Sequence, residues 1–440
     1  MHSEHNTKDQ ALTRRQLLKR GAGVLGLVAM PSLAPLTLSG CDRSTPRENP
    51  VKVGILHSQT GTMAISEISL RDMELMAIEE INAAGGVLGR PIEPVVEDPR
   101  SRFTDLFPKK AEKLLRDDGV AAVFGCWTSA SRKAVLPVFE EYNGLLFYPL
   151  QYEGNECSRN IIYTGIAPNQ QIIPAINWLT REEGGRRRRF FLLGSDYVYP
   201  RTANYIARKY AEKQGAEIVG ELYTPLGERE YKSVVDEIVA ANPDVIFSTL
   251  NGDTNVHFYH ELASRDISPQ RMPVFATSVG EDELRGLLPE EVVGHLAGWS
   301  YFQTVDTARN RDFVSRFQAE HGEDRVVSDP MEAAYAQVYL WKLAVEKAGS
   351  FEVDRVLEAF NSGIVFEAPG GDIMVDPKSR HTYKPFLIGR VREDRQFDIV
   401  YETPQWIQPD PYPALAFPGW QCDWARGGIK QGAVIPLLSP

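Results

Sequence analysis

The chain has 440 residues, of which 43% are hydrophobic and 24% charged, a composition typical of soluble globular proteins and not of disordered or membrane-embedded chains. Its formal charge is −11; the first 40 residues hold five Lys or Arg and two Asp or Glu, which leaves 43 basic and 57 acidic groups, a charge of −14, for the remainder. So acidic a chain argues against nucleic acid or an anionic membrane surface as its partner. The length predicts two lobes, each with its own core.

The amino-terminal 40 residues have the features of an export signal. The run Thr13-Arg14-Arg15-Gln16-Leu17-Leu18-Lys19 is similar to the twin-arginine consensus, and Leu38-Ser39-Gly40-Cys41 resembles a lipoprotein cleavage box. We expect residues 1–40 to be a signal peptide, Cys41 to carry a lipid anchor and residues 41–50 to form a linker. Cleavage after Ala34 is the alternative, and it would leave the protein free in the periplasm. Beyond this leader no segment is long and apolar enough to span a bilayer.

The chain contains four cysteines: Cys41, Cys126, Cys157 and Cys422. No CxxC or Cys/His spacing indicates a metal site, and we expect neither a metal nor a cofactor. Cys157 and Cys422 are able to pair in an oxidising compartment. The sequence does not show that these two residues meet, so their pairing stays open here.

From residue 51 onward, strand and helix patterns alternate, which predicts a parallel sheet covered by helices on both faces. The predicted elements of this first set are strand Val51–Leu56, helix Ile68–Ala84, strand Ile92–Glu97, helix Phe107–Arg116, strand Val120–Phe124, helix Arg132–Tyr142 and strand Leu145–Tyr148.

A second alternating set begins after Pro168 and predicts a second lobe of the same kind. Its predicted elements are helix Gln170–Arg181, strand Phe190–Leu193, helix Arg201–Gln214, strand Ile218–Tyr223, helix Glu230–Ala240, strand Val245–Thr249, helix Asn255–Ser264 and strand Val274–Ala276. Three helices and a strand hairpin follow: Arg311–Glu320, Met331–Ala348, Val353–Phe360, Phe386–Arg392 and Phe397–Glu402. The tail beyond Thr403 is rich in Pro and Trp, and we expect it to wrap a lobe.

Short hydroxyl side chains lie where the strand Val120–Phe124 ends and the next helix begins. Thr128, Ser129 and Ser131 stand at this point, together with unpaired backbone N–H groups of the first helical turn. In an open α/β sheet such a crevice is a usual site for ligands. The donors suit a ligand oxygen, although an ordinary helix cap explains the cluster equally well.

Several runs, in order along the chain, resemble one family. They are Gly54 to Ala64, Gly125 to Ser129, Tyr148 to Gly154, Ala167 to Gln171, Gly194 to Arg201, Asn251 to Asp253 and Ser278 to Glu281. These runs look like the substrate-binding proteins of urea ABC transporters, which are type I periplasmic binding proteins, and they also resemble short-chain amide sensors.

The resemblance implies an α/β fold of two doubly wound parallel-sheet lobes joined by a multi-strand hinge. It implies a first lobe from residues 51–167 and 305–376, a second lobe from 168–304 and 377–402, and a Pro- and Trp-rich tail over 403–440. It also implies that a ligand closes the two lobes and that the closed form meets the permease of an ABC transporter.

Urea has one carbonyl acceptor and four N–H donors, so its site needs donors on one side and acceptors on the other. We expect Ser129 to meet the oxygen, Asp253 and Glu281 to accept from the nitrogens, and aromatic rings to wall the cavity. The predicted ligand-binding residues are Trp127, Ser129, Tyr148, Gln151, Tyr152, Tyr197, Asp253 and Glu281. The alternative roles are lobe core for Trp127 and Tyr148 and helix caps for Asp253 and Glu281.

Two further residues near the first loop, His57 and Glu67, are expected to lie behind the ligand without touching it. Among other functions, a binding protein for acetamide or formamide is the nearest alternative, followed by one for branched-chain amino acids. An exported amidase with Cys126 as nucleophile lacks an identifiable base, so the chain is not expected to be an enzyme. A cytoplasmic amide sensor is hard to reconcile with the export segment.

Overall fold

The computed structural model describes residues 49–432. The predicted signal peptide, the lipidation site Cys41 and most of the predicted linker lie outside the described residues, as do residues 433–440 of the tail. None of the described helices is long and apolar enough to cross a membrane.

The strands of the described chain are β1 (Val51–Leu56), β2 (Ile92–Glu97), β3 (Val123–Gly125), β4 (Leu146–Tyr148), β5 (Ile161–Tyr163), β6 (Arg189–Ser195), β7 (Glu217–Thr224), β8 (Val245–Thr249), β9 (Val274–Ala276), β10 (Leu296–Trp299), β11 (Val365–Ala368), β12 (Gly371–Val375), β13 (Thr382–Tyr383), β14 (Leu387–Val391), β15 (Phe397–Glu402), β16 (Gln421–Asp423) and β17 (Gly428–Lys430).

The α-helices of the same region are α1 (Ala64–Ala83), α2 (Leu106–Glu112), α3 (Ser129–Glu141), α4 (Pro168–Thr180), α5 (Val198–Lys213), α6 (Lys232–Ala241), α7 (Thr254–Ser264), α8 (Glu281–Leu284), α9 (Pro289–Val292), α10 (Ala308–His321), α11 (Asp329–Ala348) and α12 (Val353–Ala359). A π-helical turn, Lys113–Asp117, continues α2, and 3-10 turns lie at Phe360–Ser362 and Trp424–Arg426.

The first sheet has five strands in the order β2-β1-β3-β4-β5, and all neighbouring pairs are parallel. Its central strands are apolar on both faces, as parallel strands covered by helices are. Helices α1 and α11 pack together beside this sheet, where the ring of Trp341 meets the edge of Phe124 at 6.1 Å between centroids. The burial of such large side chains is the main stabilising contribution of this core.

The second sheet has seven strands in the order β15-β14-β10-β9-β8-β6-β7. The pairs from β10 to β7 are parallel, whereas β14 is antiparallel to both β10 and β15. The predicted hairpin is therefore present, and it extends this sheet at one edge. Two doubly wound units with mainly parallel sheets confirm the predicted fold class.

In the described residues the chain passes between the two sheets at three places: between β5 and α4, between β10 and α10, and between β13 and β14. Two of these crossings are in contact, because Tyr163 bridges to His381 and the two rings stack at 4.0 Å between centroids. The small three-stranded sheet β11-β12-β13 lies ahead of the last crossing. Neighbouring crossings of this kind are suited to a hinge.

The tail beyond β15 crosses the hinge region and is fixed to it covalently. Cys157 and Cys422 form a disulfide with a Cα–Cα distance of 5.7 Å, which answers the pairing that the sequence left open. Pro411 accepts a backbone hydrogen bond from Asn155 at 2.8 Å, and Phe417 is buried in a core shared with α4 and α5. The described part of the tail thus packs on the protein and does not fold separately.

Several element boundaries differ from the sequence prediction. The third strand is β3, Val123–Gly125, in place of Val120–Phe124, and the next helix begins at Ser129 in place of Arg132. Strands β5, β10, β11, β12, β13, β16 and β17 were not predicted. Runs of two to five residues contain too few side chains to show a period of two, so tertiary pairing decides such strands.

Candidate ligand-binding site

The carboxyl ends of the first sheet's central strands meet at one edge. Leu56 at the end of β1 pairs with Gly125, and Phe124 pairs with Phe147 of β4. The turn after β3 needs a glycine, since a Cβ at Gly125 would lie 2.4 Å from the carbonyl oxygen of Leu56. The predicted first-sheet site residues follow this edge in the loops after β3 and β4.

The hydroxyl cluster at the start of α3 divides into a cap and a site residue. Thr128 caps the helix, because its Oγ1 accepts from the N–H of Ser131 at 3.0 Å. The Ser131 hydroxyl donates back to the Thr128 carbonyl at 2.8 Å. The ordinary cap interpretation is therefore correct for these two residues, and it leaves Ser129 as the hydroxyl available for other contacts.

Ser129 is buried beside an acidic residue that the sequence analysis did not select. Its Oγ donates to Oε2 of Glu153 and accepts from Nη1 of Arg132 at 3.0 Å. Arg132 Nη2 in turn donates to Glu153 Oε1 at 3.0 Å. All three side chains are fully or almost fully buried.

Arg132 also holds a second carboxylate. Its Nε donates to Glu156 Oε1 at 2.7 Å, and Lys133 Nζ lies 3.1 Å from Glu156 Oε2. Burial acts against the charged carboxylate, but Arg132 and then Lys133 outweigh it and lower the pKa of Glu156 to about 2. We call Ser129, Arg132, Lys133, Glu153 and Glu156 the Arg132 network. The network contains two basic and two acidic side chains, so its formal charge is zero.

Aromatic rings cover the Arg132 guanidinium. Its central carbon lies 4.8 Å from the centroid of the Tyr148 ring and 4.6 Å from that of Tyr152. The Tyr148 hydroxyl donates to the carbonyl of Trp127 at 2.7 Å. Trp127 and Tyr148 are thus joined to each other, and Tyr148 also contacts the network.

Tyr152 is directed toward the hinge. Its hydroxyl is hydrogen-bonded to Nε2 of His381, and its ring stacks on Tyr163 at 5.0 Å between centroids. These contacts give Tyr152 a clear packing role between the first sheet and the last crossing. Such a role was not among the expectations from the sequence.

Gln151 connects the loop after β4 to the second sheet. Its Nε2 donates to Oγ of Ser278, in the loop after β9, at 2.9 Å. The Oε1 of Gln151 is buried and has no hydrogen-bond partner. Tyr199 stands beside the same loop, where its hydroxyl is 2.9 Å from Oγ1 of Thr277. A buried acceptor without a partner suits a ligand that donates N–H groups.

Tyr197 follows β6 and comes close to the first sheet's residues. Its ring is 6.3 Å from that of Tyr199. Burial raises the pKa of Tyr197 well above its usual value, and the proximity of Tyr148 raises it further. The structure therefore brings Trp127, Ser129, Tyr148 and Tyr197 into one neighbourhood.

The predicted second-sheet acids make contacts of their own. Glu281, the first residue of α8, accepts from the N–H of Gln303 at 2.7 Å, while its Oε2 is buried without a partner. Burial raises the pKa of Glu281 to about 8. Asp253 occupies the N-cap position of α7 but makes no capping hydrogen bond. Among the described residues, no hydrogen bond or ion pair joins either acid to Ser129.

Glu153, the acid that does contact Ser129, stands in the run Tyr148 to Gly154 that carried part of the family resemblance. A single charged residue in an otherwise apolar and aromatic loop was the available signal. The sequence did not show that Arg132, one helical turn after Ser129, would turn inward to meet it.

A second buried ionic group lies behind the site. His57 Nε2 is 2.9 Å from Glu74 Oε1, and its Nδ1 is 3.7 Å from Glu67 Oε2. Burial alone would lower the pKa of His57, but the two carboxylates, Glu74 first, raise it to about 9. Cys126 is a buried free cysteine whose thiol pKa is raised by burial, the opposite of an activated nucleophile.

Comparison with known proteins settles the family. A model described as a periplasmic binding protein domain matches residues 51–417. The chain belongs to the periplasmic binding protein family. It is a periplasmic solute-binding protein of the kind that serves ABC transporters, and proteins of this kind are not enzymes.

Individual relatives of this periplasmic binding protein are distant. Leu/Ile/Val-binding protein homolog 6 of Brucella melitensis is 21% identical over 361 residues, which cover 80% of this chain and 90% of that protein. A solute-binding protein of an ABC transporter from Rhodopseudomonas palustris BisB5, solved with 3,4-dihydroxybenzoic acid, superposes with a TM-score of 0.74 at 20% identity, covering 82% of this chain and 99% of that one.

A limonene hydroxylase of Geobacillus stearothermophilus is 30% identical over 118 residues, which are 27% of this chain and 21% of that protein. So partial a match shows nothing about activity. The other relatives support the fold of this periplasmic binding protein and leave its ligand open.

Proposed function

We propose that this periplasmic binding protein captures a small uncharged amide, urea in the first place, between the carboxyl ends of its two sheets and delivers it to the permease of an ABC transporter. The observation that carries the proposal is the charge balance of the Arg132 network. Around Ser129 the charged groups are matched to one another, so this neighbourhood offers hydroxyls, a carboxamide and aromatic rings to a ligand that itself has no charge.

The same balance disfavours the ligands of the named relatives. A branched-chain amino acid has an ammonium group that needs an unpaired carboxylate, but on the first sheet's side Glu153 is already paired with the guanidinium of Arg132. An aromatic acid has a carboxylate that needs a cation. The Arg132 guanidinium already donates through Nε, Nη1 and Nη2.

In this proposal the predicted residues keep distinct roles. Ser129 faces the ligand as an acceptor and not as the donor expected from the sequence, because its one proton is donated to Glu153. The free Oε1 of Gln151 accepts a second N–H. The rings are those of Trp127, Tyr148, Tyr152 and Tyr197, and the groups from the second sheet are Asp253 and Glu281. With a pKa of about 8, Glu281 holds its proton at neutral pH, so it donates to a ligand oxygen and does not act as the carboxylate acceptor expected from the sequence.

Titration calorimetry with a ligand panel tests the proposal. The purified mature protein is titrated with urea, thiourea, formamide, acetamide, leucine and 4-hydroxybenzoate while tryptophan fluorescence is followed in parallel. We expect urea to bind best and the two charged ligands to give no heat. Tighter binding of acetamide would favour the short-amide alternative, and binding of leucine without urea would overturn the proposal.

We further propose that the protein is exported by the twin-arginine route and anchored through Cys41. The support is the sequence of the leader, which resembles both signals. Replacing both Arg14 and Arg15 by Lys should retain the precursor in the cytoplasm. Cys41→Ser should move the exported protein from the membrane fraction to the soluble periplasm, and an unchanged distribution of this variant would contradict the anchor.

A further inference from the structure

Three consecutive acidic residues of the second sheet's unit, Glu281, Asp282 and Glu283, are packed where that unit meets the first. We call them the acid run. Glu283 Oε1 accepts from Oγ of Ser66, on α1, at 3.0 Å. Because α1 covers the first sheet and α8 follows β9 of the second, this hydrogen bond joins the two units. All three acids are buried in the structure.

The charged groups facing the acid run come from several elements. On the first sheet's side, Arg325 lies near Asp282 but forms an ion pair with Asp72 at 3.3 Å. Arg285, directly after α8, forms an ion pair with Asp324 at 3.2 Å. Asp329 at the start of α11 adds a negative charge near Glu281, and Arg395 donates to carbonyls after α8. Arg325 and Arg285 are therefore shared with other acids, and within residues 49–432 no ion pair joins the acid run to a cation.

Separation of the two units would return water to the α1–α8 contact, since Ser66 and Ser69 of α1 form its opposite wall. Glu281 is held by Gln303, within its own unit, and among the described residues it has no hydrogen bond to α1. Asp282 and Glu283 are the acids whose surroundings depend on whether the contact is made.

We propose that closure of the two units takes up a proton at the pair Asp282 and Glu283, so that ligand capture and acidic pH favour each other. The inference rests on the proposed capture of a ligand between the two sheets. It gives ligand binding a dependence on pH that closure without proton uptake would not have.

The direction of the effect follows from linkage. In the closed contact, burial first and then the charge of Glu283 raise the pKa of Asp282 to about 7, and burial raises that of Glu283. When hydrated, such carboxyls titrate near about 4. At a pH between the hydrated and the buried pKa values, closure therefore takes up protons. The Kd for the ligand should then rise with pH, by up to roughly tenfold per pH unit when one proton is taken up.

Calorimetry of urea binding in buffers of different ionisation heat measures the proton uptake directly. We expect the wild-type protein to take up a fraction of a proton, up to about one, near pH 6. The double variant Asp282→Asn with Glu283→Gln keeps the shape of both side chains and should bind without uptake. The control Glu290→Gln, at an exposed acid in α9, should leave uptake unchanged. Uptake that survives in the double variant would overturn the proposal.

Small-angle scattering of the ligand-free protein separates this inference from the choice of ligand. We expect a smaller radius of gyration at pH 5 than at pH 8 in the wild type and equal radii in the double variant. If urea gives no heat but the radius still responds through these acids, the ligand assignment fails and the proton coupling stands. Equal radii in the wild type combined with no proton uptake would overturn the coupling.

Discussion

The Arg132 network and the acid run both bury carboxyl groups, but the pKa of Glu156 in the network moves in the opposite direction to the pKa values of the acid run. Glu156 has a pKa lowered to about 2, whereas Glu281 has one raised to about 8, and both side chains are almost completely buried. Burial favours the neutral form in each case. The difference is the partner: Glu156 faces the guanidinium of Arg132, and Glu281 faces a backbone N–H and further acids.

The comparison shows that the charge of a buried acid is decided by its neighbours more than by its depth. In the first region the cation Arg132 keeps Glu156 ionised. In the second the acids are positioned to hold protons. The predictions below test each half of this difference.

The largest expected effect is the loss of the central cation. Arg132→Met removes the guanidinium that pairs with Glu153 and Glu156 and leaves two carboxylates buried without it. We expect a loss of about 3–5 kcal/mol in the free energy of unfolding. Denaturation with guanidinium chloride measures it, because urea is itself the proposed ligand. The control Arg311→Met, which breaks an exposed pair with Asp306, should cost under about 1 kcal/mol. Equal effects would refute the special role of burial.

The second prediction concerns Glu281. Because its pKa is raised in the folded protein, folding is penalised above the unfolded value near 4.5 and the penalty grows until the pH reaches about 8. Glu281→Gln removes the cost of ionising this buried carboxyl. The change that it causes in the free energy of unfolding should be more favourable at pH 8 than at pH 4, by on the order of 2–4 kcal/mol. A variant whose stability follows that of the wild type at every pH would contradict the assignment.

Glu156 should show the reverse pH dependence. Its lowered pKa contributes stability that is fully present above about pH 4.5 and is lost as the pH falls toward 2. Glu156→Gln is therefore expected to cost about 2–3 kcal/mol at pH 7 and little near pH 2. Denaturant melts at both pH values measure the difference, and a constant cost across this range would exclude the ion pair as its cause.

The smallest change is expected at Ser129. Ser129→Ala removes the hydroxyl that we propose to face the ligand and costs Glu153 one hydrogen bond. We expect affinity for urea to fall roughly tenfold, about 1.4 kcal/mol, with little change in the order of ligand preference. Thr128→Ala, which removes only the helix cap, should lower stability by about 1 kcal/mol and leave affinity nearly unchanged. Loss of affinity in the cap variant alone would reverse these roles.

The arrangement of strands and helices was visible in the sequence because it depends on local patterns. Apolar runs such as Val51–Leu56 and stripes such as that of Met331–Ala348 repeat at the period of one element. Alternation of these elements permits few topologies, and the doubly wound fold follows from it. The ordered polar runs at the strand ends also located the edge where Trp127, Ser129 and Tyr148 lie.

Tertiary structure alone decided which groups face each other and with what charge. The sequence selected Glu281 as an anionic acceptor and passed over Glu153, because the ionisation of a buried acid depends on neighbours distant in the chain, such as Arg132 across 21 residues. The disulfide of Cys157 with Cys422 and the contact of Ser66 with Glu283 are of the same kind. Local periodicity reports which residues are buried, but the electrostatic partners of a buried group are known only when the chain has folded.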